Sequence, residues 1–143
     1  MTKILKSVVA MLVMIMIIAS CGGSDDPTQL ETDRVRALLA SGTWKIQNVK
    51  VDNVDKTSSF TGLQLTFTQT AYTSTNGNIV WPATGTWAFT SDEATAFTRG
   101  DGVIVNIDQV SGSNLVLSLN WDGTLGAGRT SSVDGKHTFT FSK

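Results

Sequence analysis

The sequence contains very little of the chemistry on which most enzymes depend. It has one cysteine, Cys21, and one histidine, His137, among 143 residues. A single cysteine cannot form a disulfide within the chain, so stability must come from a packed core. A zinc site needs three or four His, Cys or carboxylate ligands, and a Ser–His–acid site would depend on His137 alone, with no nucleophile-elbow sequence around any serine. The sequence therefore predicts a non-enzymatic protein without a metal or cofactor site.

Charge and proline are also scarce. Charged residues make up 16% of the chain, the formal net charge is −1, and the only prolines are Pro27 and Pro82. The charges are scattered, so the basic stripe that nucleic-acid binding needs is missing. Threonine, serine, glycine and asparagine are abundant, and that composition favours strands and turns. We therefore expect a β-rich protein that does not bind nucleic acid.

Residues 1–20 are predicted to be a secretory signal peptide. Lys3 and Lys6 form a positive start, and residues 8–18 contain only Val, Ala, Met, Leu and Ile, which is the layout of a leader sequence. A membrane-spanning helix needs about 20 apolar residues. This run of 11 residues is too short to be a comfortable anchor.

The end of this leader, Ile18-Ala19-Ser20-Cys21, resembles the lipobox of bacterial lipoproteins. The resemblance implies cleavage between Ser20 and Cys21, then acylation of the Cys21 thiol and of the new amino terminus. Several acyl chains, each contributing about 0.8 kcal/mol per buried methylene, give stable membrane anchoring. We expect the protein to bind a membrane through the lipid on Cys21. The alternative is an ordinary signal peptide followed by an unmodified cysteine.

Residues 21–27 are predicted to form a flexible, acidic tether. The pair Asp25-Asp26 follows Gly22-Gly23-Ser24 and resembles the export tag that sends some Gram-negative lipoproteins to the outer face of the outer membrane. The resemblance implies a lipid-anchored protein that faces the cell exterior. An outer-membrane lipoprotein that faces the periplasm is the alternative, since Asp26 also suits a helix N-cap.

Residues 28–143 are predicted to form one domain that begins with a helix over Thr28–Ala40. Val35, Leu38 and Leu39 share one face of this helix, and Gly42 ends it. From Thr43 onward apolar and polar residues alternate, which is typical of half-buried strands. Eight strands are predicted: Thr43–Val51, Leu63–Thr68, Ala71–Thr75, Gly85–Thr90, Ala96–Arg99, Val103–Gln109, Asn114–Trp121 and Lys136–Ser142.

Short turns between these strands predict antiparallel neighbours and an up-and-down β-barrel of about eight strands. In the first strand the apolar phase shifts between Ile46 and Val49, which indicates a β-bulge. Val103-Ile104-Val105 is apolar on both faces, so we expect cover on both sides. The aspartates between strands, such as Asp101, lie where aspartate caps its own backbone.

Gly42-Thr43-Trp44, which opens the first strand after a short helix, is similar to the Gly-x-Trp signature of lipocalins. The segments Gly85-Thr86-Trp87-Ala88-Phe89, Val105–Val110 and Asn114–Leu119 also look like bacterial lipocalin-like lipoprotein domains. The likeness covers most of residues 41–143 and implies a lipocalin-like barrel. It also implies that Trp44 closes one end of the barrel beneath a basic side chain, with Arg129 or Lys143 as candidates.

Two functions from different classes remain open. A barrel of eight strands either holds one small ligand or is filled by its own side chains. In the first case the protein binds a small hydrophobic molecule. In the second it is an interaction or structural module that contacts a protein or a glycan through loops around Asn76–Thr84 and Gly123–Ser132. Trp81, beside Pro82 in the first of these loops, is the residue that we expect to be exposed and to bind a ligand.

Overall fold

The computed structural model describes residues 27–123 and 134–143. The predicted signal peptide, Cys21, the residues before Pro27, Arg129 and most of the loop Gly123–Ser132 lie outside these described residues. The described elements are one helix, α1, one 3-10 turn and nine strands: α1 (Pro27–Leu39), β1 (Thr43–Val51), β2 (Val54–Asp55), the 3-10 turn (Thr57–Phe60), β3 (Gln64–Phe67), β4 (Ala71–Thr75), β5 (Thr84–Phe89), β6 (Ala96–Arg99), β7 (Ile104–Val110), β8 (Asn114–Trp121) and β9 (Gly135–Ser142).

Eight of the strands form a closed antiparallel barrel. From β3 to β9 each strand pairs with the next one in sequence, and β1 pairs with both β3 and β9. The pairing of Ile46 with Phe141 and of Val49 with Phe139 closes the ring. The predicted fold class is therefore confirmed: a mostly β chain with a short helix ahead of an eight-strand barrel.

The first strand contains the irregularity that its sequence predicts. The register of β1 against β9 shifts between Ile46 and Asn48. Trp44 precedes this bulge and Val49 follows it, yet both side chains are buried, because the extra residue restores the inward phase. The shift of phase in the sequence therefore reported a β-bulge at a bend of the barrel.

Alternate side chains from the strands fill the interior of the barrel. Aromatic rings dominate this core and contact each other edge to face, as quadrupoles favour; Phe67, for example, lies 5.9 Å from Trp87 and 5.8 Å from Phe97 between ring centroids. The buried apolar side chains of the strands and of α1 form one cluster: Val35, Leu39, Trp44, Val49, Leu65, Phe67, Tyr72, Trp87, Phe97, Val105, Leu115, Leu117, Leu119, Phe139 and Phe141.

Helix α1 and Trp44 occupy one end of the barrel, which we call the helix end; β1 begins and β9 ends there. The indole Nε1 of Trp44 donates a hydrogen bond to the Leu39 carbonyl at the end of α1, at 2.9 Å. The ammonium of Lys143 lies 4.3 Å from the centroid of the Trp44 ring, which is close enough for a cation–π contact. The lipocalin resemblance placed Lys143 or Arg129 in this position.

The opposite end of the barrel, which we call the distal end, carries an element that the sequence did not predict. Asp52 and Asn53 have φ values of 49° and 67°, and two successive residues with positive φ turn the chain into a tight hairpin. The hairpin pairs Val51 with Val54 and adds the two-residue strand β2 beside β1.

One burial prediction is wrong. Val103-Ile104-Val105 was expected to be covered on both faces, and Val105 is indeed buried, but Ile104 is 56% exposed. The reason is that the strand lies in the wall of a barrel, where only one face meets the core.

None of the helices in the described residues is long and apolar enough to cross a membrane.

Candidate functional site

The loop between β4 and β5 turns into the distal end of the barrel and seals it with Trp81. The ring of Trp81 meets Tyr72 and Phe139 edge to face, with centroids 5.6 and 5.8 Å apart. The side chain is only 1% exposed. Trp81 therefore fills the distal end, and the similarly buried Trp44 lies at the helix end.

Local backbone chemistry permits the inward path of this loop. Asn76 and Asn78 both have a φ of 55°, a left-handed conformation that asparagine tolerates well. Gly77 lies so close to Trp81 that an added Cβ would stand 2.3 Å from the Trp81 carbonyl oxygen. The Ser74 hydroxyl donates to the carbonyls of Trp81 and Pro82, at 2.9 and 2.8 Å. These contacts satisfy a backbone that is drawn into the barrel.

The expectation that Trp81 is exposed is therefore wrong. The residue follows a turn-rich segment and precedes Pro82, so its surroundings in sequence are those of a surface loop. In the fold it is a core residue, because the barrel needs a large ring to fill its distal end. Its predicted part in ligand binding stays a prediction, and it is limited to a ligand inside the barrel.

A buried arginine, which the sequence analysis did not identify, packs against the Trp81 ring. Arg99 is 2% exposed, and its guanidinium carbon lies 5.0 Å from the centroid of the Trp81 ring. The guanidinium forms a bidentate ion pair with the Asp101 carboxylate, in which Nε donates to Oδ1 at 3.0 Å. Its Nη1 also donates to the Val80 carbonyl at 2.6 Å. The hydrogen bonds from Arg99 hold the pKa of Asp101 below its ordinary value.

Three buried polar atoms at the distal end have no hydrogen-bond partner among the described residues. They are Nε1 of Trp81, Nε1 of Trp121 and Nε2 of His137. The Trp121 ring also faces Arg99, at 5.9 Å, and the His137 ring stacks on Phe139, at 5.6 Å. Buried polar groups normally have partners, so these three atoms are exceptions among the described residues of the barrel.

His137 is a core residue, and burial is the main cause of its lowered pKa. A carbonyl can only accept, so Nδ1 carries the proton and donates to the Gly135 carbonyl at 3.1 Å. This bond and the charges of Asp52 and Asp134 raise the pKa, but burial outweighs them. A neutral imidazole is thus the form that fits the fold.

This burial predicts a loss of stability in mild acid. The pKa of His137 in the folded protein lies below its unfolded value of about 6.5. Between these two pKa values the unfolded chain therefore binds more protons than the folded protein does. The free energy of unfolding should then fall as pH drops below 6.5, by at most about 1.4 kcal/mol per pH unit for one proton. Urea unfolding at several pH values between 5 and 7.5 measures this slope.

The control for this prediction is His137→Phe, which keeps an aromatic ring against Phe60 and Phe139 and cannot titrate. The variant should lose most of the slope between pH 5 and 7.5, where carboxylates stay ionised in both states. An unchanged slope in the variant would contradict the assignment of the acid effect to His137.

A groove of about 430 Å³ lies on the outer rim of the distal end, where β7 begins and β8 ends. Its lining consists of Gly102, Val103, Ile104, Asn106, Asn120, Trp121 and Asp122. This volume is within the range of small-molecule sites. The exposed Ile104 side chain, which the strand pattern had placed under cover, is one of its walls.

Within residues 27–123 and 134–143, no three His, Cys, Asp or Glu side chains lie close enough together to hold a metal ion. Two of the carboxylates instead accept hydrogen bonds from backbone amides, Asp52 from a neighbouring strand and Asp55 from its own turn. Asp52 accepts a 2.9 Å bond from the Lys136 amide, and Asp55 accepts one of 2.8 Å from the Thr57 amide.

Comparisons with family models, with curated proteins and with solved structures find no match to this chain.

Proposed function

We propose that the protein is a lipid-anchored, non-enzymatic interaction module of the bacterial outer membrane, whose barrel is a scaffold filled by its own side chains. The packing of the barrel carries this proposal. Trp44 fills the helix end and Trp81 the distal end, and both are almost fully buried. Between them lie the rings of Tyr72, Phe97 and Phe139. A filled interior favours recognition on the outer surface over storage of an apolar ligand inside.

The position of the predicted anchor suits this function. Cys21 precedes the first described residue, Pro27, by six positions, and α1 then leads to the helix end of the barrel. The three longest of the described strands, β1, β8 and β9, have nine, eight and eight residues and, tilted as in other barrels, separate the two ends by roughly 20 Å. A lipid on Cys21 would hold the helix end near the membrane and leave the distal end and its groove toward solvent.

The anchor is tested by Cys21→Ala, which removes the only thiol in the chain. We expect the wild-type protein to carry acyl groups by intact mass and to sediment with membranes, whereas the variant loses the lipid mass and leaves the membrane fraction. Ser24→Ala, three residues further on, is the matched control and should stay acylated. A Cys21→Ala protein that stays in the membrane fraction with an unchanged lipid mass would contradict the lipobox assignment. Digestion of the protein on intact cells by an added protease distinguishes the cell surface from the periplasmic face.

The second candidate, a binder of a small hydrophobic ligand inside the barrel, is favoured by the unpartnered polar atoms. Trp81 Nε1 and His137 Nε2 are buried, and both rings contact Phe139; a ligand with one polar group could supply their partner. Native mass spectrometry of the purified protein tests this candidate. A co-purified small molecule would support it, and a protein of the bare mass would support the filled scaffold.

A further inference from the structure

The groove on the rim of the distal end contains both hydrogen-bond donors and hydrogen-bond acceptors. Asn106 on β7 and Asn120 on β8 are exposed and line it. Each amide has two N–H donors and a carbonyl acceptor. A hydroxyl group also donates and accepts, so two amides in one groove suit a ligand that carries several hydroxyls.

The same groove has an apolar wall. Val103, Ile104 and the half-buried Trp121 line it beside the two amides. The Trp121 ring is held in place because its strand pairs with Gly135 on β9 and because the Arg99 guanidinium lies 5.9 Å from its centroid. An indole packs well against the C–H face of a ring that has polar edges.

The charges around the groove disfavour an anionic ligand. Among the described residues, the side chains that line it include the carboxylate of Asp122 and no basic group. The buried cation near the groove, Arg99, already donates to Asp101 from Nε and Nη2 of its guanidinium. A phosphate or a carboxylate in the groove would meet the negative charge of Asp122, and the exposed Lys136, the β9 partner of Asn120, is not among the lining residues.

The sheet around the groove disfavours an extended peptide. A peptide that adds to a sheet needs an open strand edge. Both strands that form the groove are paired on each side, β7 with β6 and β8, and β8 with β7 and β9. Recognition must then rely on side chains, as it does for a compact ligand.

We infer that this groove is a binding site for a neutral saccharide, with Trp121 and Ile104 as the apolar platform and the amides of Asn106 and Asn120 as hydroxyl partners. The inference rests on the proposed interaction function and names its ligand class. The volume of about 430 Å³ suits one or two sugar rings, and the groove lies at the end of the barrel opposite the predicted anchor.

The test titrates the mature protein, in a detergent without a sugar headgroup, with four neutral disaccharides: maltose, cellobiose, lactose and diacetylchitobiose. Calorimetry should give a Kd tighter than about 1 mM for at least one of them. The double variant Asn106→Ala/Asn120→Ala should weaken that affinity at least about tenfold, a loss of 1.4 kcal/mol of binding free energy. Both asparagines are exposed, so each substitution should change the free energy of unfolding by no more than about 0.5 kcal/mol.

Asn114→Ala is the matched control, because Asn114 is an exposed asparagine of β8 at the helix end of the barrel. It should bind as the wild type does. The inference is overturned if none of the four disaccharides binds, or if the double variant binds as tightly as the wild type. Intact mass of the same sample reports the acyl group on Cys21, so a failure of the saccharide site is distinguished from a failure of the anchor.

Discussion

Replacing Trp81 with alanine is expected to lower the free energy of unfolding by about 4 kcal/mol, the cost of deleting a large ring from a packed core. The ring contacts Tyr72, Phe139 and the guanidinium of Arg99, and its loss would open the distal end to water. Urea unfolding followed by circular dichroism measures the change. If Trp81 were the exposed residue that its local sequence indicates, the cost would stay within about 0.5 kcal/mol.

A pair of milder variants separates the ring from its N–H group. Trp81→Phe keeps an aromatic ring and removes a buried N–H that has no partner among the described residues, which relieves a penalty of about 1–3 kcal/mol. Its net effect should therefore be small. Trp44→Phe removes an N–H that donates to the Leu39 carbonyl and leaves that carbonyl without its partner. Trp44→Phe should therefore cost at least about 1 kcal/mol more than Trp81→Phe. Equal costs would contradict the assignment of Trp81 Nε1 as unpartnered.

The second large effect is expected at the ion pair of Arg99 and Asp101. The test is which of two variants, Asp101→Asn or Arg99→Met, loses more free energy of unfolding. Asp101→Asn leaves the buried guanidinium without a counter-charge, so it should cost about 3 kcal/mol. Arg99→Met removes the buried charge, and the Asp101 side chain, which is 39% exposed, regains water. The carbonyl of Val80 still loses its donor, so Arg99→Met should cost about 1–2 kcal/mol.

Urea unfolding at pH 7 compares these two variants with the double variant Arg99→Met/Asp101→Asn. The double variant should resemble Arg99→Met, because both groups of the pair are then uncharged. A larger cost for Arg99→Met than for Asp101→Asn would show that shape, and not the unpaired charge, dominates at this position.

Much of the fold was predictable because a barrel of short meander strands leaves a local signal in each strand. The bounds of β1, β4, β6 and β8 agree with the sequence prediction to the residue, since alternation and turn residues delimit them on both sides. The bulge in β1 was also predictable, because Ile46 and Val49 can both be apolar positions of one inward face only if an extra residue lies between them.

The distal end was not predictable in the same way. Trp81 lies in a segment of turn residues, and nothing in a turn reports whether the loop folds outward or into an open barrel. Asn76 and Asn78 accept the left-handed backbone that the inward path needs, but they would suit an outward loop equally well. The direction of the loop is decided by the empty space that the strands leave, which is a property of the closed ring.

Two signals for the distal end were nevertheless present in the sequence. Arg99 follows Phe97 by two residues in a predicted strand, so it has the inward phase of a buried side chain, and Asp101 two residues later is its partner. Asp52-Asn53 between Val51 and Val54 is a pair that favours a tight hairpin turn. The signal for the groove in the sequence was weaker. An apolar residue such as Ile104, between two inward-facing valines, is equally typical of a strand that is covered on both faces.

The pairing of β1 with β9 also determines when the protein can become native. Ile46 must find Phe141 across nearly one hundred residues, and such distant partners meet slowly because the intervening chain must first be ordered. A polypeptide that leaves a ribosome or a secretion channel amino end first cannot shut its ring until the final strand arrives. Late closure keeps the chain threadable through a narrow pore, which is the state that export before folding requires.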